Sequence, residues 1–359
     1  MGKFKITKNK RPATKAQLKQ YLSKPAFGVQ FTDHMAHIHY ENKKWSKFEV
    51  IPFQNLSLSP ACCSLHYAQE VFEGVKAYKW KDGSVRVFRP EANGERLQKS
   101  SMRICLPILP VNDFVEAIKE VVKIDKQWVP GEEGQSLYIR PFIIGTDPYI
   151  GIRVPEVADF YVILSPVGSY LKTDAGNKIW VETKYFRSGP GGTGAAKCGG
   201  NYAASLVAKK NAATHGCADS LFLDAKEVKY VEEFSGMSFF AVTKDGQLIT
   251  PKINERILDS ITRNSLIQIA KDNKIKVTEK DIDFKKEIIA GLKSKNIVEI
   301  FACGTAAVVS PVSELNGDDF SIVVGDGKPG KISMFLKQQL VGIQKGEVLD
   351  THNWMVKII

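Results

Sequence analysis

Long apolar runs and paired cysteines are both missing from this sequence, and each absence narrows the class of protein. The chain of 359 residues has no run of 18 apolar residues, so we expect no membrane span and no membrane partner. Its first residues lack the apolar segment of a secretory signal peptide. The six cysteines include no C-x-x-C pair. Reduced thiols therefore fit better than a disulfide framework, and the cytoplasm is the expected compartment.

Acidic residues are too few to balance the basic ones. The sequence has 50 Lys and Arg against 39 Asp and Glu, which gives a net charge of +11. The excess is concentrated in residues 1–24, which carry eight Lys or Arg and no acid. No RNA- or DNA-binding module follows this segment. We therefore interpret it as a solvated basic arm and expect no nucleic-acid partner.

Metal ligands are also scarce. His34, His37 and His39 lie close together in the sequence and could be considered as a metal cluster. Histidine metal sites in proteins are completed by further His, Cys or acidic ligands. No acidic or cysteine partner is spaced along the sequence to complete this one, so we expect no metal site.

Alternating strand-like and helical segments predict an α/β (α+β) fold with two domains. Two runs of alternating apolar and polar residues meet at Asp82-Gly83, which predicts a β-hairpin. Residues 113–116 form a capping box, which predicts the start of a helix with an apolar stripe. The polar, turn-rich segment 168–178 is the best domain boundary. We predict a smaller N-terminal α/β domain over 1–170, an interdomain connection over 171–178 and a larger C-terminal domain over 179–359.

Two further helices are predicted in the second half of the chain. Asn201 is expected to cap a helix whose apolar stripe includes Leu206 and Ala213. Either Asp259 or Ser260 is expected to cap another helix within residues 256–272.

The most informative stretch is SGPGGTGAAKCGGNY, residues 188–202, which holds six glycines around one lysine, Lys197. Glycine is needed where the backbone approaches a ligand closely or takes positive φ, and it costs chain entropy. A flexible linker is the weaker interpretation, because linkers favour Gly and Ser over a lysine among small apolar residues. The glycines indicate that Lys197 is held against a flat or anionic ligand.

Three classes of ligand site can be compared with this stretch. A phosphate loop needs Gly before the lysine and Ser or Thr after it, whereas Ala196 and Cys198 flank Lys197. A dinucleotide fingerprint is matched formally over residues 189–194, but Gly199-Gly200 interrupt the helix that should follow. A nicotinamide-dependent oxidoreductase therefore stays open as the weaker alternative. The third class is a lysine that forms a Schiff base with a carbonyl cofactor.

The residues around Lys197 carry a family resemblance. The sequence GTGAAKCGGNY resembles the signature around the pyridoxal-phosphate lysine of fold-type IV aminotransferases, specifically branched-chain amino acid aminotransferases. The similarity extends over nearly the whole chain, from FTDHM (31–35) to GTAAVVSPV (304–312). It implies a two-domain homodimer that uses pyridoxal 5'-phosphate. It also implies amino-group transfer between leucine, isoleucine or valine and 2-oxoglutarate, giving the branched 2-oxo acid and glutamate.

The resemblance implies a cofactor role for several residues. Lys197 is expected to form the covalent link to the cofactor and to move the substrate proton. The other expected cofactor contacts are Arg103, Ile261, Thr262 and Thr305 to the phosphate, Tyr202 to the ring hydroxyl and Glu233 to the ring nitrogen. From the residues alone, Arg103 could be a surface cation at a helix end, and Glu232-Glu233 could be a solvated pair.

The resemblance also implies a substrate pocket. Its expected contacts are Tyr67, Phe72, Tyr138, Arg140, Tyr170 and Ala306. On pattern alone, Tyr67 and Phe72 could be ordinary core residues. Arg140, inside an apolar strand, could form a structural ion pair instead of binding a substrate carboxylate.

The sequence departs from the family pattern at two places. Residues 235–238, SGMS, replace a GTMN-like sequence, so the threonine hydroxyl usual there is missing. Ala307 and Ser310 stand where mammalian members carry a C-x-x-C pair, so no disulfide is expected there. Within the fold type, a D-amino acid or amine transaminase is the alternative function.

Overall fold

The computed structural model describes residues 2–168 and 176–359. Tyr170 and residues 171–175 of the predicted interdomain connection lie outside the described residues. The chain forms two compact units, the first from Met1–Tyr170, Ala196–Gly199 and Ile343–Ile359, the second from Leu171–Ala195 and Gly200–Gly342. Each unit contains one mixed or antiparallel sheet covered by helices, so the mixed helix and strand content confirms the predicted fold class.

The first unit contains most of the N-terminal elements. In chain order they are β1 (Lys5–Ile6), α1 (Lys15–Ser23), β2 (His34–Glu41), β3 (Lys44–Pro52), α2 (Cys63–Tyr67), β4 (Glu70–Phe72), β5 (Val75–Lys79), β6 (Val85–Phe88), α3 (Pro90–Arg103), α4 (Val111–Ile124), a 3₁₀ turn (Lys126–Trp128), β7 (Ser136–Gly145) and β8 (Ala158–Val167).

The second unit contains the elements that follow residue 176. They are β9 (Asn177–Glu182), α5 (Gly199–Thr214), β10 (Asp219–Leu223), β11 (Val231–Phe234), β12 (Ser238–Thr243), β13 (Leu248–Pro251), α6 (Ile261–Asp272), β14 (Val277–Lys280), a π-helix (Phe284–Ile289), α7 (Ala290–Lys293), β15 (Ile297–Gly304), β16 (Val308–Gly317), β17 (Phe320–Val323) and α8 (Lys331–Lys345). The last strand, β18 (Met355–Lys357), belongs to the first unit.

The first sheet has the strand order β1-β3-β2-β8-β7-β5-β6-β18, with β4 paired to β7. The predicted hairpin is confirmed, since β5 and β6 pair antiparallel and Gly83 takes a φ of 81° between them. Strands β7 and β8 are buried along nearly their whole length, as continuous apolar runs require. They form the centre of this sheet.

Helix α4 covers one face of the first sheet. Its predicted apolar stripe is confirmed, because Phe114, Ile118, Val121 and Val122 are fully buried. The predicted capping box is wrong, since the helix begins at Val111 after Pro110, which makes no side-chain cap. Asp113 binds the Lys3 ammonium instead of capping the backbone.

The second sheet has the order β11-β10-β9-β16-β15-β12-β13-β14, with β17 on β16. Strand β11 also pairs with β12, so the strands from β11 through β12 close into a ring. The ring interior is apolar, with Phe234, Phe239 and Ile300 buried inside the main cluster of this unit. Closure leaves no free edge within the ring.

Two helix predictions in this unit have different outcomes. The cap of α6 is confirmed as Ser260, whose hydroxyl accepts the Arg263 amide. The predicted start and stripe of α5 are wrong. The helix already begins at Gly199, and Leu206 is 64% exposed. Its buried side is formed by small or polar residues: Asn201, Ser205, Ala208 and Ala212.

The chain division also differs from the predicted one. The prediction assigned all of 179–359 to the C-terminal domain, but residues 343–359 belong to the first unit because Met355 in β18 pairs with Phe88 in β6. Residues 196–199, which include Lys197, also belong to the first unit. Of the helices in the described chain, none combines the length and apolar composition that a bilayer crossing requires.

Candidate active site

Lys197 is fixed to the first unit through its backbone. Its amide donates to Ser100 Oγ at 2.9 Å, and its carbonyl accepts the Phe72 amide at 3.0 Å. The next residue, Cys198, forms a β-bridge with Val71. The lysine side chain is half-buried, and Nζ lies 5.0 Å from the centre of the Phe72 ring. Strand β4 and helix α3 therefore hold this lysine in one position.

Two glycines of the loop lie where a Cβ would meet a neighbouring atom. A Cβ at Gly199 would lie 1.9 Å from a Glu70 carboxylate oxygen, and one at Gly194 would lie 2.1 Å from the Arg256 carbonyl. The buried Asn201 amide also donates to the Thr193 carbonyl at 2.8 Å. These contacts are not those of a flexible linker, because Thr193, Gly194, Gly199 and Asn201 are packed or hydrogen-bonded.

Two cations and two aromatic rings meet around Phe72. Arg140 lies over the Phe72 ring, with Cζ 4.7 Å from its centre, and donates to the Tyr138 hydroxyl at 3.0 Å. Phe27 packs edge-on against Tyr138 at 4.8 Å. Lys197 approaches the same Phe72 ring. The structure thus places Lys197 beside three of the predicted substrate contacts: Phe72, Tyr138 and Arg140.

Arg140 has no carboxylate partner among the ion pairs of the described residues. Its Nε atom is buried without a hydrogen-bond partner in those residues. Burial raises the pKa of the nearby Glu70 carboxyl, and the Gly199 amide and the Arg140 charge lower it only in part. Among the described residues Arg140 therefore forms no ion pair within 4.0 Å, and its Nε keeps an unused hydrogen-bond donor.

The first unit also contains Tyr67, a predicted substrate contact, and Arg103, a predicted phosphate contact. Tyr67 ends α2, is half-buried and donates its hydroxyl to the Ile150 carbonyl. Arg103 is the last residue of α3 and is exposed. It lies one helical turn after Ser100, the residue that accepts the Lys197 amide. Tyr170, also predicted to line the pocket, is outside the described residues.

Glu233 in the second unit is buried and charge-compensated. One carboxylate oxygen receives the Arg187 guanidinium at 2.8 Å and the Leu258 amide at 3.0 Å. Arg187 also donates to the carbonyls of Gly194 and Arg256, both at 3.1 Å. Sequence reasoning missed Arg187. The available signal was an arginine at the end of an apolar strand-like run, which needs a partner when buried.

Glu232 lies beside Glu233 but has a different environment. It binds Arg256 and is only 3% exposed, as is Glu233. Burial raises the pKa of Glu232 to about 7, although the hydrogen bond and charge of Arg256 act in the opposite direction. The solvated-pair interpretation of these glutamates is therefore wrong.

Tyr202, Gly236 and Gly304 form a continuous contact path next to Glu233. A Cβ at Gly236 would lie 3.6 Å from the Tyr202 ring, and one at Gly304 would lie 3.2 Å from Met237 Cγ. Ser238 is directly opposite Glu233 in the β11–β12 pair. Its hydroxyl is buried without a hydrogen-bond partner in the described residues. The SGMS departure thus places an unpaired hydroxyl beside the buried carboxylate.

Two backbone features of the second unit can hold an anion. Ile261 and Thr262 are the first residues of α6, where the first amides have no acceptor within the helix and the dipole favours negative charge. Thr305 and Ala306 form the half-buried turn between β15 and β16. Leu258, whose amide binds Glu233, lies three residues before Ile261. The segment that leads into α6 is therefore hydrogen-bonded to Glu233.

The cysteines near these residues are poor redox groups. Cys303 is fully buried, and burial raises the pKa of its thiol to about 12. Cys198 is 4% exposed, and all six cysteines are free thiols. Thiol oxidation needs exposure and thiolate character. Cys105 is the one exposed cysteine among the six.

We therefore expect the activity of the protein to be insensitive to mild peroxide. The assay is turnover before and after peroxide treatment, followed by reductant. Any loss should disappear in a Cys105→Ser variant, because the buried thiols are protected. Reversible inactivation that persists in both Cys105→Ser and Cys198→Ser would contradict the prediction by revealing another redox pair.

The sequence is similar to a known protein family and to named proteins of bacteria. Residues 70–315 match the family described as amino-transferase class IV. The chain is 45% identical to the branched-chain-amino-acid aminotransferase of Mycolicibacterium smegmatis, covering 99% of this chain and 98% of that protein. It is 44% identical to branched-chain-amino-acid aminotransferase 2 of Bacillus subtilis, covering 93% of this chain and 92% of that protein.

A solved structure shows the same fold. The Escherichia coli branched-chain amino acid aminotransferase superposes with a TM-score of 0.76 at 28% identity. That match covers 91% of this chain and 99% of the other.

Proposed function

The chain belongs to the class IV aminotransferases, and from this membership we infer a pyridoxal-phosphate-dependent aminotransferase that acts on branched-chain amino acids. It transfers the amino group reversibly between leucine, isoleucine or valine and 2-oxoglutarate. The products are the branched 2-oxo acid and glutamate. The chain is 42–45% identical to branched-chain aminotransferases from several bacteria over 93–99% of its length, which supports this function.

The fixed position of Lys197 is the observation that carries the proposal. Its backbone is held by Ser100 and Phe72, while the ammonium projects over an aromatic ring at 5.0 Å. A lysine that must react repeatedly at one carbon needs a fixed attachment, because misplacement by about 1 Å can cost on the order of 10²-fold in rate. The loop glycines provide room for this attachment.

The residues present fit pyridoxal 5'-phosphate. The ring nitrogen needs a carboxylate, and Glu233 is a buried carboxylate held by Arg187. The phosphate needs amide donors, which the start of α6 supplies. The buried, unpaired Ser238 hydroxyl opposite Glu233 is a further polar atom, among the described residues, available to a bound group. When bound, the cofactor supplies a carbonyl that links to amines and a ring that accepts electrons.

We propose that Lys197 is the covalent attachment point and the proton carrier. Its Nζ would take up the proton that leaves the substrate Cα and deliver it to the C4′ carbon of the cofactor. Arg187 keeps Glu233 oriented, and Glu233 holds a proton at the ring nitrogen through a charge-assisted hydrogen bond. The Tyr202 hydroxyl is proposed to bond the ring oxygen.

The phosphate contacts are proposed for a further set of donors. They are the guanidinium of Arg103, the amides of Ile261 and Thr262, and Thr305. A planar guanidinium suits phosphate because it donates two parallel hydrogen bonds. Arg103 is the last residue of α3 and is exposed.

The substrate side chain is proposed to lie against Tyr67, Phe72, Tyr138 and Tyr170, with Ala306 offering its amide to the substrate α-carboxylate. The aromatic residues give an apolar lining suited to a branched aliphatic chain. Glutamate must also enter the same pocket, and its second carboxylate needs a cation. Arg140 is the candidate, because its buried Nε lacks a partner in the described residues.

Arg140→Ala should therefore impair 2-oxoglutarate more than leucine. We expect kcat/KM for 2-oxoglutarate to fall by about tenfold or more, the effect of losing one charged hydrogen bond. The measurement is steady-state kinetics with each substrate varied separately. Arg86→Ala, on strand β6, is the matched control and should leave both constants unchanged. An equal loss for both substrates would make Arg140 a structural residue.

The absorption spectrum of the purified protein tests the proposed function. We expect a yellow band that borohydride bleaches, with the reduced label on Lys197. A nicotinamide-dependent oxidoreductase would give neither result.

Turnover of L-leucine but not of D-alanine or a simple amine separates this function from the other transaminases of the fold type. Absence of the band after cofactor addition would contradict the proposal.

Assembly and compartment are part of the same proposal. We propose a homodimer, as the family resemblance implies, and light scattering of the purified protein is the measurement. A cytoplasmic location is supported by the cysteines, since all six are free thiols, which is the usual state in a reducing compartment.

A further inference from the structure

A compact group of ligating side chains lies on the first sheet, apart from the residues assigned above. We name it the His–Asp cluster, and it consists of His37, His39 and Asp159. Asp159 Oδ1 lies 2.7 Å from His37 Nε2 and 2.8 Å from His39 Nδ1. The other carboxylate oxygen accepts the Thr146 hydroxyl at 2.8 Å. All three potential ligand atoms lie within 4.8 Å of one another.

Strand pairing builds this cluster. His37 and His39 are two residues apart on β2, so their side chains share one face of the sheet. Asp159 on β8 is directly opposite His39, while Tyr161 is opposite His37. The Tyr161 ring stacks on His37, with centres 4.7 Å apart. The two imidazoles are therefore oriented toward one carboxylate by the sheet itself.

A carboxylate also faces the far nitrogen of each imidazole. Glu49 lies 3.9 Å from His37 Nδ1, and Glu41 lies 3.7 Å from His39 Nε2. Histidines that bind metals usually donate their second N–H to such an acceptor, which fixes the ring and increases its basicity. Each histidine thus has a carboxylate within 4.0 Å of its second ring nitrogen, on the side where the outer partner of a metal ligand lies, in addition to sharing an inner carboxylate.

We propose that the His–Asp cluster binds a divalent transition-metal ion such as Zn²⁺. The ligands are His37 Nε2, His39 Nδ1 and Asp159 Oδ1, with water in the fourth position. Tetrahedral zinc at about 2.1 Å from each ligand needs ligand atoms roughly 3.4 Å apart. The two imidazole–carboxylate separations, 2.7 and 2.8 Å, are hydrogen-bond distances. Metal binding would replace these two hydrogen bonds and move the ligand atoms apart by roughly 0.6 Å, which side-chain rotation can supply. Imidazole ligands favour zinc over magnesium or calcium.

The fold also explains why this site could not be recognised from the sequence. The two histidines were considered as ligands, but no acidic partner lay at a useful spacing. Asp159 is separated from His39 by 120 positions and reaches it only through the β2–β8 pairing. A metal there would join two neighbouring strands, which is a structural role separate from amino-group transfer.

Metal competition measures the site directly. The full-length, cofactor-loaded enzyme without a histidine tag is titrated with Zn²⁺ against a chromogenic chelator. Cys105→Ser is used as the parent, because Cys105 is an exposed thiol that could bind zinc. We expect one Zn²⁺ per chain, lost in His39→Gln and in Asp159→Asn. His66→Gln, which removes an exposed histidine elsewhere, should keep full binding.

A second variant covers the case in which a cluster substitution prevents folding. Glu41 is a half-exposed outer residue, so Glu41→Gln should fold normally and bind Zn²⁺ about 10- to 100-fold more weakly. Its unfolding temperature without metal should equal that of the parent. The proposal is overturned if the parent takes up no stoichiometric Zn²⁺, if Asp159→Asn or Glu41→Gln binds as tightly as the parent, or if His66→Gln removes binding.

Discussion

Replacing Lys197 by alanine should abolish transamination while leaving the folded enzyme able to bind its cofactor. The lysine is proposed to carry both the covalent attachment and the substrate proton. General acid–base work alone contributes roughly 10²–10⁴-fold, so the combined loss should exceed about a thousandfold. The structure adds that Lys197→Ala keeps the backbone bonds to Ser100 and Phe72, which do not use the side chain. The measurement is kcat with leucine and 2-oxoglutarate.

The control for this result is Lys209→Ala, an exposed lysine on the helix that follows the loop. It should retain normal turnover and the yellow band. Lys197→Ala should bind cofactor but lose the borohydride-stable label. Near-normal turnover in Lys197→Ala would remove the mechanistic basis of the proposed function.

Glu233→Gln should reduce turnover much more than cofactor affinity. The amide keeps a hydrogen-bonding atom near the ring nitrogen but removes the negative charge that holds the proton there. We expect a loss in kcat on the order of 10²-fold, typical for removal of one preorganised electrostatic partner. Arg187 would then face a neutral group, so thermal unfolding must be measured alongside kcat.

Arg103→Ala is the matched comparison, with the opposite balance of effects. It should weaken cofactor binding by about 10- to 100-fold, the value of a charged hydrogen bond, and leave kcat at saturating cofactor nearly unchanged. Cofactor affinity and kcat are measured for both variants. Equal loss of cofactor binding in Glu233→Gln and Arg103→Ala would contradict the assignment of separate roles.

Local sequence patterns predicted the features that depend on near neighbours. The Asp82-Gly83 hairpin, the apolar stripe of α4 and the Ser260 cap each follow from a few adjacent residues. The glycine loop was predicted to hold Lys197 against a flat or anionic ligand, and this stays a prediction. The structure shows that Gly194 and Gly199 lie where a Cβ would meet a neighbouring atom.

Features that depend on distant partners could not be predicted in the same way. The burial of Glu233 is possible because Arg187, on a separate segment, compensates its charge. The prediction for helix α5 failed because its apolar residues face outward, while Asn201 turns inward to bind Thr193. Periodicity reports which face of a helix is apolar. It does not report which face a neighbouring loop will cover.

The pairing of β18 with β6 has a consequence for how the protein is synthesised. Strand β6 is synthesised early, whereas β18 is synthesised only after the whole second unit has been translated. Until then β6 keeps an unpaired edge, and exposed strand edges promote association with other chains. The first unit therefore cannot complete its sheet during translation. A chain lacking residues 355–357 would leave the edge of β6 open to association with other chains.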